Sequence, residues 1–124
     1  MASEHLHEDA ATLGAEIIDQ HRAIVSIMEE LEAVDWYNQR ARATADDELR
    51  AILEHNRDEE KEHMAMVLEW LRRHDPKMDE NLKKYLFNPK PPLAVEAAGE
   101  QGGGEGEDGN GHLDIGDLRA PVKK

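Results

Sequence analysis

The sequence predicts an all-α fold on three observations. Ala, Leu, Glu, Lys and Arg dominate, while aromatic residues are only 4% and charged residues 35%, a helix-forming composition with little bulk for a large core. Apolar residues recur at steps of three and four over two long stretches. The helix breakers are confined to one end: eight of the nine glycines lie between Gly99 and Gly116, and four of the five prolines between Pro89 and Pro121. A chain of 124 residues is one small domain at most, and surface-to-volume scaling makes a partner the expected remedy.

The elements follow in order. Residues 1–11 are expected to be disordered. Helix 1 is predicted from about Thr12 to Arg42, with Leu13, Ile17, Ile24, Ile27, Leu31 and Val34 along one stripe. In the link "ATADDE", Thr44 and Asp47 have the spacing of a capping box. Helix 2 is predicted from about Ala45 to His74, carried by Leu49, Ile52, Leu53, Met64, Val67, Leu68 and Leu71. Asp75 before Pro76 combines an N-cap with proline at the first helical position and opens a short helix 3, about Pro76 to Phe87. The short link makes helices 1 and 2 an antiparallel hairpin. Residues 12–88 are therefore the helical domain, and 89–112, rich in Pro, Gly and Glu, are expected to form a flexible tether. Leu113, Ile115 and Leu118 restore apolar anchors in residues 113–124.

Composition also narrows the function. A net charge of −13, from 28 acids and 15 bases, repels phosphate backbones and anionic lipid, so neither nucleic acid nor membrane is an expected partner, whereas metal cations are attracted. Without cysteine, a metal site must use carboxylate oxygen and imidazole nitrogen. The N-terminus has neither a basic start nor an apolar run, and no stretch reaches the roughly 18 apolar residues of a membrane helix; a soluble, cytoplasmic protein is expected.

One acidic cluster, "RDEEKEHMAMVLEW" (Arg57 to Trp70), has a split character. At 100° per residue, Leu49, Leu53, Val67 and Leu71 fall within roughly 20° of Glu60, and His63 at roughly −60°. Glu62, Asp58 and Glu69 fall on the opposite, wet side. Glu60 thus lies in the apolar stripe, where a carboxylate is costly unless protonated, paired or bound to metal. Helix 1 offers a second such acid, Glu30, at the edge of its own stripe. One Glu from one helix and Glu-x-x-His from the other is half of the di-iron carboxylate set of ferritin-like four-helix bundles. A two-fold dimer would complete both the bundle and the ligand set.

The stretches "HRAIVSIMEELEAVDWYNQR" (His21 to Arg40) and "HNRDEEKEHMAMVLEWLRRHDP" (His55 to Pro76) resemble the two long helices of the encapsulated ferritins, cargo proteins of encapsulin nanocompartments, and "YLFNP" resembles the end of their third. The resemblance covers roughly residues 15–90. It implies that two subunits form a di-iron ferroxidase centre at their interface, and that dimers assemble into an annular oligomer, a ring of dimers described as a decamer. On the matching positions it implies Glu30, Glu60 and His63 as iron ligands and Glu29 and Glu32 as an outer site through which metal enters. It also implies a place for Trp36 near that route and for Tyr37 beside the iron centre. Two iron ions per dimer interface are implied, with calcium, manganese or zinc as further candidates at secondary sites. "LDIGDLR" (Leu113 to Arg119) resembles the family's encapsulin-targeting peptides, implying the shell protein as partner and the interior of the nanocompartment as location. The expected activity is oxidation of Fe(II) to Fe(III), delivered for storage within the shell. The rival readings are a non-catalytic helical scaffold or adaptor, or another di-metal carboxylate oxidase or peroxidase.

Overall fold

The computed structural model describes residues 5–102. Their regular elements are all helical: α1 (Ala10–Ala43), α2 (Asp47–Arg73), α3 (Pro76–Tyr85) and α4 (Pro92–Gly102). They form two compact units divided between His74 and Asp75, and the predicted all-α class holds.

In the first unit α1 and α2 pair as the predicted hairpin. Cross-links give its sense, because Gln20 near the start of α1 donates to the carbonyl of His74 at 2.7 Å. Arg57 donates to Asn38 Oδ1 at 3.1 Å further along, and Arg50 donates to the Ala41 carbonyl at 3.1 Å near the turn. Arg50 also reaches the Thr44 carbonyl and Asp47, satisfying carbonyls that the end of α1 leaves open.

Three local expectations are corrected. The helix begins at Ala10, inside the stretch expected to be disordered, because the Asp9 carbonyl accepts from the Thr12 and Leu13 amides at 2.9 and 3.1 Å. Gly14 then interrupts it at φ 85°, ψ 165°, a region open essentially to glycine alone. The cap of α2 is Asp46, not Thr44: the Asp46 carboxylate accepts from the Leu49 amide at 2.8 Å, and Thr44 Oγ1 accepts from the Asp46 amide instead. An ionised cap oxygen is the stronger acceptor at a positive helix end.

The stripe of α1 is also corrected. Ala23 and Ala41 are the buried residues of α1, whereas Ile17, Ile24 and Leu31 remain 47%, 45% and 49% exposed. Small residues let the helices approach closely, and a single partner helix covers only part of each apolar circumference. On α2, Leu71 is buried while Ile52 and Met66 stand open.

In the second unit, Asp75 caps α3 as expected, accepting from the Met78 amide at 3.0 Å with Pro76 in the first turn. The helix stops two residues short of Phe87, which takes φ 61°, and the Asn88 side chain bonds the Lys84 carbonyl at 3.1 Å. Residues 89–112 are not a tether throughout, since α4 occupies Pro92–Gly102. Proline at its start, the Pro91 carbonyl accepting from the Val95 amide at 3.0 Å and an alanine-rich sequence favour helix, and Val95 is buried. The proposed targeting segment, residues 113–124, lies outside the described residues.

Candidate metal centre

The antiparallel pairing sets the middle of α1 against the second half of α2. Glu30, Glu60 and His63 meet there, with one donor atom of each within 4.8 Å of the others. His63 Nδ1 stands 3.6 Å from Glu30 Oε1 and 3.6 Å from Glu60 Oε1, too long for a hydrogen bond. Metal–ligand bonds of about 2.0–2.2 Å put neighbouring donors about 3.0–3.5 Å apart, so a small contraction would close this trio around an ion.

Glu30 shows the electrostatic condition of the site. Its Oε1 is buried and has no hydrogen-bond partner, although buried carboxylate oxygens are ordinarily satisfied. Burial first, and then the neighbouring Glu60 carboxyl, push the Glu30 carboxyl above the usual carboxylate range, while His63 opposes them. A cation at this point would satisfy the orphan oxygen and relieve the repulsion between the two acids. The His63 side chain, 45% exposed, leaves the site open on one side. No hydrogen bond joins Glu60 or His63 to Asn56 or Tyr37 among the described residues; the near neighbours of His63 are the two carboxylates, at ion-pair distance.

The other sequence-level candidates lie around this trio. Glu29 and Glu32 are on the exposed surface of α1, outside the cluster. Trp36 is 48% exposed and Tyr37 half-buried. Their rings share one guanidinium, with Arg40 Cζ 5.7 Å from the Trp36 centroid and 5.6 Å from that of Tyr37. Sequence reasoning passed over Arg40, although its spacing of four and three residues from the two aromatics places all three on neighbouring turns. Elsewhere on α2, His55 Nε2 lies 3.3 Å from Glu59 Oε2, one turn along the same helix.

The EncFtn-like family's sequence model matches residues 5–89, which include the whole α1–α2 hairpin. This chain belongs to the EncFtn-like family. Curated relatives of this EncFtn-like chain include the "Encapsulated ferritin-like protein" of Rhodospirillum rubrum, 55% identical over 95% of this chain and 90% of that protein. The "Ferritin-like protein" of Thermotoga maritima is 48% identical over 91% of this chain and 96% of that one. The "Encapsulin nanocompartment cargo protein EncC" of Myxococcus xanthus is 36% identical over 63% and 65% of the two chains. Among solved structures, protein ne0167 of Nitrosomonas europaea superposes with a TM-score of 0.67 at 62% identity, covering 69% of this EncFtn-like chain and 94% of its own. In the EncFtn-like chain, no described helix is long and apolar enough to cross a membrane.

Proposed function

We propose that this EncFtn-like protein is a ferroxidase, oxidising Fe(II) to Fe(III) at a di-iron site formed where two copies of the hairpin meet, and that it works as cargo inside an encapsulin shell. The observation that carries the reading is the half-site itself: Glu30, Glu60 and His63 converge around a buried carboxylate oxygen that lacks a partner. One chain supplies two carboxylates and one imidazole. A second copy facing it doubles the set to four carboxylates and two imidazoles, a hard, anionic environment that favours the ferric product.

Each residue has a distinct task in this reading. Glu30 and Glu60 hold iron as substrate through charged oxygens, and their mutual repulsion without a cation favours its capture. His63, on the open side, adds a nitrogen donor while leaving room for an oxidant such as dioxygen or peroxide. Glu29 and Glu32, exposed on α1, draw Fe(II) toward the hairpin, with Trp36 and Tyr37 further along the same helix. No protein base or nucleophile is required, because the chemistry is electron transfer from the bound metal.

Assembly follows from the same faces. The hairpin leaves large apolar residues uncovered on α1 and α2, and one of them, Met66, follows His63 by a single turn. Two different self-complementary faces join copies into dimers and dimers into a closed ring, a decamer on the family resemblance. The targeting segment Leu113 to Arg119 would dock on the shell, with Leu113, Ile115 and Leu118 as anchors, and many tails on one ring raise the effective concentration.

Stopped-flow oxidation of Fe(II) with the full chain tests the site. Glu60→Ala and His63→Ala each abolish the rapid phase, since each loss is doubled by symmetry; initial rates near those of wild type in either variant would refute it. Fusing Gly109 to Lys124 onto a fluorescent protein and co-expressing it with the cognate shell tests the address, the expected outcome being co-purification that disappears when Leu113, Ile115 and Leu118 become serine.

A further inference from the structure

The cation that spans Trp36 and Tyr37 is out of place in a surface read as attracting metal. Arg22, Arg50, Arg57, Arg72 and Arg73 each hold a carboxylate within ion-pair distance. Arg40 holds none among the described residues. Its guanidinium instead lies over two adjacent aromatic rings at nearly equal distances, 5.7 and 5.6 Å. The other tryptophan, Trp70, has a different neighbour: it stacks on His74 with centroids 3.9 Å apart and planes at 16°.

The position of the rings gives this arrangement a chemical consequence. Tyr37 follows Glu30 by seven residues, two turns of one helix and about 10.5 Å of axial rise, and Trp36 is 48% exposed. Indole and phenol are the side chains most easily stripped of one electron. Near a centre that oxidises Fe(II), the hazard is specific. Dioxygen that takes two electrons and two protons becomes hydrogen peroxide, and a further Fe(II) splits peroxide into hydroxide and hydroxyl radical while itself becoming Fe(III). The radical takes one electron from a ring and leaves as hydroxide, and the ring's N–H or O–H proton passes to water. A positive charge against the π face opposes that electron loss, because the ring quadrupole that attracts the cation is weakened as the ring becomes electron-poor.

We propose that Arg40 is an electrostatic shield that protects Trp36 and Tyr37 against one-electron oxidation at the rim of the metal centre. The inference deepens the ferroxidase reading and rests on it for the source of the hazard, but the shielding itself is a property of three side chains and is tested without iron.

The experiment exposes metal-free, full-length protein to azide radical generated by radiolysis. Azide radical takes one electron from an aromatic ring and becomes azide, and the ring proton goes to water. Oxidised Trp36, Tyr37 and Trp70 are then quantified by peptide mass spectrometry, with Trp70 as the reference within each molecule. Arg40→Gln, which keeps the polar stem and removes the charge, raises the Trp36-to-Trp70 oxidation ratio about threefold, equivalent to roughly 0.65 kcal/mol, the scale of a cation on an exposed ring. Arg40→Lys, which retains a cation, stays near wild type. An unchanged ratio in Arg40→Gln overturns the proposal, and so does an equal rise in both variants, which would make the effect one of packing. Fe(II) oxidation by the wild type is followed in parallel. If it is absent while the azide result stands, the ferroxidase reading fails and the shield survives.

Discussion

At the scale of single residues, two acids illustrate opposite electrostatic settings. Glu30 is raised by burial and by Glu60, so removing its neighbour lessens an unfavourable contact. Metal-free protein carrying Glu60→Ala is accordingly expected to melt no lower than wild type; a large fall in melting temperature by calorimetry would mark Glu60 as structural. Glu69 is the reverse case. Arg72 and then Arg73 hydrogen-bond its carboxylate and lower it to about 2, with contacts of 2.8 Å from Arg72 and 2.6 Å from Arg73. A carboxylate depressed in the folded state stabilises above its unfolded value, and that contribution is lost as pH falls through the folded value. The difference in melting temperature between wild type and Glu69→Gln should therefore be full above pH 4.5 and shrink toward pH 2. High salt should reduce it as well, because the cluster is partly open to solvent.

At the scale of the element, caps and breaks decide where the helices begin. Asp46 bonds the Leu49 amide at 2.8 Å and adds its charge to the first turn of α2, so Asp46→Ala should cost about 0.5–2 kcal/mol in denaturant unfolding, whereas Thr44→Ala should cost less because its hydroxyl serves only the link. Gly14 is a break of another kind. Its φ of 85° is strained for any side chain, yet a β-carbon added there would meet no atom within 4 Å beyond its immediate neighbours. A substitution at Gly14 is therefore opposed by the backbone angle and not by a clash.

At the scale of the whole molecule, the hairpin is an incomplete core. Ile17, Ile24, Leu31, Leu49, Ile52 and Met66 are each 45–59% exposed, and full burial of such a side chain is worth about 1.5–3 kcal/mol. In the proposed assembly a second copy would supply that burial, and a bound metal would remove the repulsion at the half-site that opposes it. Adding Fe(II) to metal-free protein should shift the population from monomers and dimers toward larger rings, and a chelator should reverse the shift, as read by native mass spectrometry. An unchanged distribution would separate the metal site from the interface.

The sequence by itself determined that the chain is helical, that α1 and α2 pair in antiparallel order and that Asp75 with Pro76 opens α3, because helical period, short links and cap chemistry are local. It also singled out Glu30, Glu60 and His63, since acids within an apolar stripe conflict with burial unless something partners them. Only the tertiary structure decided which part of each stripe is covered. Periodicity groups Ile17, Ile24 and Leu31 with Ile27 and Val34, but one partner helix cannot reach them all, and close approach at Ala23 and Ala41 turns the first three outward. Packing likewise decided that Pro92–Gly102 is helical, where Val95 finds burial that composition does not forecast, and that Arg40 lies over two rings instead of a carboxylate. Such outcomes depend on what stands opposite a residue in space, and the linear pattern carries that only where a single partner is possible.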